Sequence, residues 1–441
     1  MSKRTPAKRA THKHSSESKL IQHTLPNGLR FYAVPEPSTS AVTLLVMYQV
    51  GSRYETDKVA GISHFLEHMF FKGTKRRPDA RTITRELDSL GAEYNAFTSK
   101  DYTGYYIKTA AEHLTKSYDV LADMLLHSTF IPRDVKRERT VILEEMRMYR
   151  DNPLMYMGDL FESALFGKNA LGREIIGFKD TILGMTSADL KRYYEMFYQP
   201  KNMVVAVAGN VKPNTALAMT KKYFASLKPA RRLPFFSCSI MHKEPQVALM
   251  PKPTEQVQLC VGFPGYSYTH PRLTALEVLH GVLGSGMSSR LFEIIREQMG
   301  LAYNVKTGLE SYEDFGAFYA RAGTDPKKTM QALKHILKEF SRVKRELVSV
   351  EELKRAKSFL TGQLALQLEQ SDDYAQLVAH QAFFKDKMET LKGIQDRINK
   401  VTRAELREAA REVMDPAKLT LALIGPFKDK RPFARVLRTF K

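Results

Sequence analysis

Only two cysteines, Cys238 and Cys260, occur in 441 residues. Two thiols in a chain of this length do not form a disulfide framework, which points to a reducing compartment. Neither lies in a C-x-x-C pair, which argues against a thiolate metal site. No apolar run approaches the roughly 20 residues that a membrane helix needs. The apolar stretch at 203–208 is short and β-rich and reads as a buried strand. The N-terminus lacks the apolar segment of a signal peptide, so export by that route is disfavoured. Its basic, serine-rich, acid-poor composition fits a disordered tail on a cytoplasmic protein, with a mitochondrial-matrix transit peptide as the alternative. Acidic side chains are scarce, 48 against 68 basic, for a net charge of +20. Such an excess is the signature of an acidic partner or nucleic acid. Much of it, however, sits at the two ends. Lys3, Arg4, Lys8, Arg9, Lys13 and Lys19 face Glu17 alone, and Lys428, Lys430, Arg431, Arg435, Arg438 and Lys441 face Asp429 alone. With no basic-aromatic platform in the chain, no nucleic-acid partner is expected, and residues 1–19 and 428–441 read as basic tails.

The chain exceeds what one hydrophobic core usually holds, and it repeats itself. Thr186-Ser-Ala-Asp-Leu190, Pro200 and Asn202-Met-Val-Val-Ala-Val-Ala-Gly209 recur 216 residues later. The later copies are Thr402-Arg-Ala-Glu-Leu406, Pro416 and Lys418-Leu-Thr-Leu-Ala-Leu-Ile-Gly425. Each copy reads as a capped helix, a proline stop and a buried strand ending at glycine. Two similar halves follow, residues 20–225 and 247–427. The proline-containing, aperiodic segment 226–246 joins them as a linker. In the first half, 29–34 and 42–50 read as strands, 61–72 as a helix, and Pro78 as the start of another helix stopped by Gly91. A strand pair at 93–98 and 103–109 follows, then a long helix over 132–150. The expected class is α+β, each half a sheet covered by helices.

The chemistry concentrates in His64-Phe65-Leu66-Glu67-His68. On a helix, positions i and i+4 share a face, so both imidazoles can address one ion. Neutral imidazole suits zinc. The order H-x-x-E-H inverts the commoner H-E-x-x-H of zinc peptidases. Glu67 projects beside the pair and can take the proton of a metal-bound water. A catalytic site needs a third protein ligand and an open fourth position. Residues 137–145 offer Glu138, Glu144 and Glu145. Glu138 and Glu145 are two helical turns apart and share a face, while Glu144 lies about 100° from Glu145. The shared face favours Glu145 as ligand with Glu138 behind it, but helical geometry alone leaves Glu144 open.

Gly51-Ser-Arg-Tyr-Glu55, Gly61-Ile-Ser-His-Phe-Leu-Glu-His68 and the later Glu138…Glu145 together resemble the inverzincin peptidases of the pitrilysin class (M16), over residues 24 to 427. The resemblance implies a clamshell of two halves and one Zn2+ per chain held by His64, His68 and Glu145. It selects Glu145 over Glu144 as the ligand, with Glu138 as its supporting acid and Glu67 as general base. It also implies that the 93–98 strand takes peptide by edge addition, contacting it through Asn95 and Ala96. Arg296 and Tyr303 would reach across from the second half to bind the substrate carbonyl and stabilise the oxyanion. The glycine-rich segment 283–292 matches the family and lacks the Lys-Ser/Thr of a phosphate loop. Carried through the 216 offset, His64 falls on His280, but Glu67 falls on Leu283, His68 on Gly284 and Glu145 on Thr361, so the second half should hold no metal and His280 should be structural. The expected function is a zinc endopeptidase of unfolded peptides or presequences, acting as a homodimer or with a related subunit. A non-catalytic core or scaffolding subunit is the rival.

Overall fold

A computed structural model describes residues 20–229, 234–240 and 242–441. The first half builds a six-stranded sheet from β1 (Ile21–Thr24), β2 (Arg30–Pro35), β3 (Ala41–Tyr48), β4 (Glu93–Thr98), β5 (Thr103–Ala110) and β6 (Met203–Gly209), in the order β1-β2-β6-β3-β5-β4. The second builds a five-stranded sheet from β7 (Gln246–Pro251), β8 (Val257–Gly265), β9 (Ala302–Ser311), β10 (Gly316–Thr324) and β11 (Thr420–Gly425), in the order β7-β11-β8-β10-β9.

The duplication holds at the level of register. Arg30 pairs with Val204 in the parallel β2–β6 ladder, and Gln246 pairs with Thr420 in β7–β11, both 216 residues on. One strand further out the offset is 215, since Met47 faces Val204 and Gly262 faces Thr420. At the edge, Ala96 faces Tyr105 and Thr307 faces Ala320, so it has become 211.

The central strands are apolar throughout because both faces are buried. Along β6, Met203, Val205 and Val207 enter one core while Val204, Ala206 and Ala208 enter another. That second core is closed by the other half. Helix Ser371–Phe384 lays Ala375, Val378, Ala379 and Ala382 on Leu45, Met47 and the β6 alanines. In return, helix Pro153–Phe166 packs Met157, Phe161 and Leu165 on Cys260, Ala317, Tyr319, Ala422 and Ile424 of the second sheet. Each sheet is therefore covered on one face by helices of its own half and on the other by a helix of its neighbour.

Some expected boundaries move. The helix assigned from Pro78 begins at Ala80, because the Asp79 carboxylate accepts from the Thr82 backbone N–H at 2.7 Å and makes Asp79 the cap. The 61–72 helix spans Ile62–Met69. The C-terminal basic tail is folded: helix Arg431–Leu437 buries Phe433 and Leu437, with Phe440 beyond it, in the second core. The N-terminal tail, 1–19, lies outside the described residues. Within the described part of the linker Cys238 is buried, and both cysteines are free thiols.

Candidate metal centre

The motif helix, Ile62–Met69, starts at Gly61, whose φ of +93° suits glycine. Its first turn is held from outside. The buried Glu55 carboxylate accepts from the backbone N–H of Gly61 at 2.8 Å and of Ser63 at 2.9 Å. Burial pushes the Glu55 carboxyl up to about 7, against those two donors. Ile62, Phe65, Leu66 and Met69 face the first core, which turns His64, Glu67 and His68 toward helix Pro132–Asp151 and β4.

There His64 Nε2 and His68 Nε2 stand 3.3 Å apart, and Glu145 Oε2 lies 3.7 Å from the first and 3.4 Å from the second. Among the described residues this is the one group of three His, Cys, Asp or Glu side chains close enough to hold an ion. Four-coordinate zinc with bonds of about 2.0–2.1 Å spaces its donors about 3.3 Å apart. The trio fits such an ion in both donor type and spacing. Glu144 points away, exposed and paired with Arg147. Glu138 lies behind the trio, buried, with Oε1 at 2.9 Å from His68 Nδ1 and Oε2 at 2.8 Å from Lys72 Nζ.

The electrostatics differ between the two imidazoles. Burial, reinforced by the neighbouring His68, lowers His64 to about 4, so its ring is neutral at physiological pH. Burial also opposes a charge on His68, but Glu138 and Glu145 outweigh it and raise His68 to about 9. Burial raises the Glu67 carboxyl, while the Thr98 hydroxyl, donating to Glu67 Oε2 at 2.5 Å, pulls it down.

A cavity of about 330 Å3 opens beside the trio, its lining including His64, Glu67, Ala96, Thr98, Glu145, Tyr149, Asp159 and Glu174. Strand β4 is an edge strand, so one side of its backbone is not paired within the sheet. Asn95 Oδ1 accepts from the Ala96 backbone N–H at 2.9 Å. Arg296 and Tyr303 lie together, the guanidinium carbon 4.9 Å from the ring centre, with Arg296 also 3.5 Å from Glu297. Neither lines the cavity, and Tyr303 is 76 % exposed. In the second half His280 is tied by Nδ1 to Thr307 Oγ1 at 2.7 Å and by Nε2 to Ser285 Oγ at 2.8 Å.

Sequence reasoning gave no role to Glu55, Lys72, Thr98, Asp159 or Glu174. Glu55 lies in a motif noted for its resemblance, and Lys72 sits one turn beyond His68. Thr98 and the two cavity acids Asp159 and Glu174 carried no spacing signal toward the histidines. Burial and its acidic neighbours Glu162 and Glu174 push Asp159 up to about 6, with Lys100 opposing.

The family description "Insulinase (Peptidase family M16)" matches residues 30–179, and "Peptidase M16 inactive domain" matches 184–360. An uncharacterized zinc protease of Bacillus subtilis is 36% identical over 407 residues, 92% of this chain and 98% of its own. One of Streptomyces coelicolor is 36% identical over 414 residues, 92% and 90% respectively. The crystal structure of a protease from Helicobacter pylori superposes with a TM-score of 0.87 at 27% identity, covering 93% of this chain and all of its own. Placed beside the His64–His68–Glu145 cluster and the duplicated sheets, these matches show that the chain belongs to the M16 peptidase family.

Proposed function

We propose that this protein is a metalloendopeptidase that binds one zinc ion per chain and cleaves unfolded peptides or presequences. The observation that carries this reading is the trio of donors at 3.3–3.7 Å with the half-buried Glu67 carboxylate and an edge strand on the same cavity. His64 Nε2, His68 Nε2 and Glu145 Oε2 would hold zinc, which supplies Lewis acidity and an acidified water. Glu138 fixes His68 through Nδ1, so Nε2 is the nitrogen presented to the site. Glu67 is the general base. Burial gives its carboxylate the proton affinity to accept a proton and return it to the leaving amine. Thr98 steers that carboxylate. The peptide adds to β4, and its carbonyl replaces Asn95 Oδ1 on the Ala96 N–H. Asp159 and Glu174 favour a basic side chain in the cavity. Arg296 and Tyr303 carry the chemistry of carbonyl and oxyanion binding. They reach the site from the facing half, in a homodimer or with a related subunit.

A second reading, a non-catalytic core subunit, draws on the inactive-domain description. That match covers 184–360, whereas His64, Glu67, His68 and Glu145 all lie in the other match. Zinc analysis and cleavage of a disordered peptide library test the choice. The expected result is one equivalent of zinc per chain, with cleavage lost in Glu67→Gln at unchanged zinc content. Cleavage that persists in Glu67→Gln, or less than about half an equivalent of zinc, counts against the peptidase.

A further inference from the structure

Gly51-Ser52-Arg53 sits directly on the turn that joins β4 to β5. The Ser52 and Arg53 backbone N–H groups donate to the Ser99 and Lys100 carbonyls, both at 3.1 Å. A Cβ on Gly51 would stand 2.3 Å from the Ser99 carbonyl oxygen, so this close approach requires glycine. The Arg53 side chain is fully buried and reaches further. Its Nη1 donates to Asp101 Oδ1 at 2.9 Å, within the same turn. Its Nη2 donates to Asp314 Oδ1 at 2.6 Å and to the Phe236 carbonyl at 3.1 Å, and the guanidinium stacks 4.2 Å from the centre of the Phe235 ring. Asp314 lies in the turn between β9 and β10, in the second half, and Phe235 and Phe236 lie in the linker. The contact is reciprocal, since Asp101 Oδ2 accepts from the Glu313 backbone N–H at 2.9 Å. Asp314 Oδ2 also accepts from the Cys238 backbone N–H at 2.8 Å.

The tips of the two equivalent hairpins thus meet around one buried guanidinium. From the first tip β4 runs back to Thr98, whose hydroxyl holds Glu67, and then to Ala96 and Asn95. We propose that Arg53 is a positioning residue for the substrate strand. By tying the β4–β5 turn to Asp314, it lets the second half set where β4 stands against Glu67. The proposal rests on the reading of β4 as the peptide-binding edge.

Asp314→Asn is the discriminating variant. It lies in the other half, its side chain is 22% exposed, and it keeps its size. Hydrogen–deuterium exchange on the full zinc-loaded chain should show amides of 93–106 exchanging about tenfold faster, with the motif helix unchanged. A disordered fluorogenic 20-residue basic peptide should show KM raised about tenfold, kcat changed less than about threefold, and zinc content unchanged. Arg53→Lys, which can satisfy one carboxylate, should fall between the wild type and Arg53→Gln. The proposal is overturned if exchange of 93–106 is unchanged in Asp314→Asn, if it rises equally in the motif helix, or if KM stays at the wild-type value. A wild-type protein that neither binds nor cleaves the peptide overturns the peptidase reading before any variant is compared, and exchange still decides the coupling.

Discussion

Replacing Glu138 by glutamine separates two effects that this carboxylate exerts on the metal site. Glu138 is 2% exposed and faces His68 Nδ1 at 2.9 Å and Lys72 Nζ at 2.8 Å. The amide keeps an acceptor and the shape but loses the charge. A hydrogen bond to a charged group contributes about 1.5–3 kcal/mol against about 1 for a neutral one, so zinc held through His68 should weaken by about 0.5–2 kcal/mol, or about 2- to 30-fold. The opposing effect is proton competition. Glu138 and Glu145 raise His68 to about 9 in the metal-free protein, so near neutral pH zinc must displace a proton from His68. Removing Glu138 lowers that value and relieves part of the competition. At pH 9.5 the ring is mostly neutral in both proteins, so the full loss should be visible there. At pH 7 the relief should mask much of it. The wild-type log affinity should climb by about one per pH unit up to about 9, and the variant should flatten at lower pH. Competition with a chromophoric chelator at the two pH values measures both. Zinc affinity within about twofold of wild type at pH 9.5, or an identical ratio at both pH values, would refute the reasoning. The stability sign follows the same group. Because its folded value is raised, His68 stabilises the metal-free fold fully below the ordinary histidine range, and that contribution is lost as pH rises through about 9.

Three further outcomes follow from particular contacts. Thr98→Val removes the hydroxyl that pulls the Glu67 carboxyl down, so the acid limb of kcat/KM should move to higher pH, and a pH–rate profile with an unmoved limb contradicts it. Asp159→Asn should cost about 10- to 100-fold in cleavage of peptides with a basic side chain at the cavity and less than about threefold for neutral ones. Equal losses on the two peptide sets would rule out a charge-reading wall. Phe161→Ala empties a fully buried site where a first-half helix meets the second sheet, at a cost of about 3–5 kcal/mol. Because that helix belongs to one half by chain and to the other by packing, calorimetry should show both halves melting in one transition at lower temperature. Two separated transitions would contradict the coupling.

The histidine pair was legible because it depends on helical periodicity: a step of four from His64 to His68 places both on one face, and a step of seven from Glu138 to Glu145 does the same, while the choice of Glu145 over Glu144 came from the resemblance. The β6–β11 repeat was legible because strands buried on both faces are apolar without interruption. The helix exchange was not. Ala375, Ala379 and Ala382 identify a buried face, but no spacing states which sheet it meets. The 428–441 segment was misread because charge was counted there and Phe433, Leu437 and Phe440 were not, although their steps of four and three are helical. Arg296 and Tyr303 lie together, but their role came from the resemblance alone, because spacing carries no information about which site they face.

The two halves also differ where a helix packs on the edge strand. In the first half, His68 projects from its helix toward helix Pro132–Asp151 and Glu138. In the second half, helix Leu273–Gly284 packs on the edge strand β9 and ends at Gly284. A Cβ at Gly284 would lie 2.2 Å from the Thr307 backbone nitrogen and 2.5 Å from its hydroxyl. Thr307 occupies the register position of Ala96 and holds His280 instead. The second half therefore lacks the space for a larger side chain at Gly284. Leu283→Glu combined with Gly284→His should give a strongly destabilised chain that still binds a single equivalent of zinc. A stable variant with a second equivalent would show that side-chain identity alone, not the approach of helix to strand, had emptied the site.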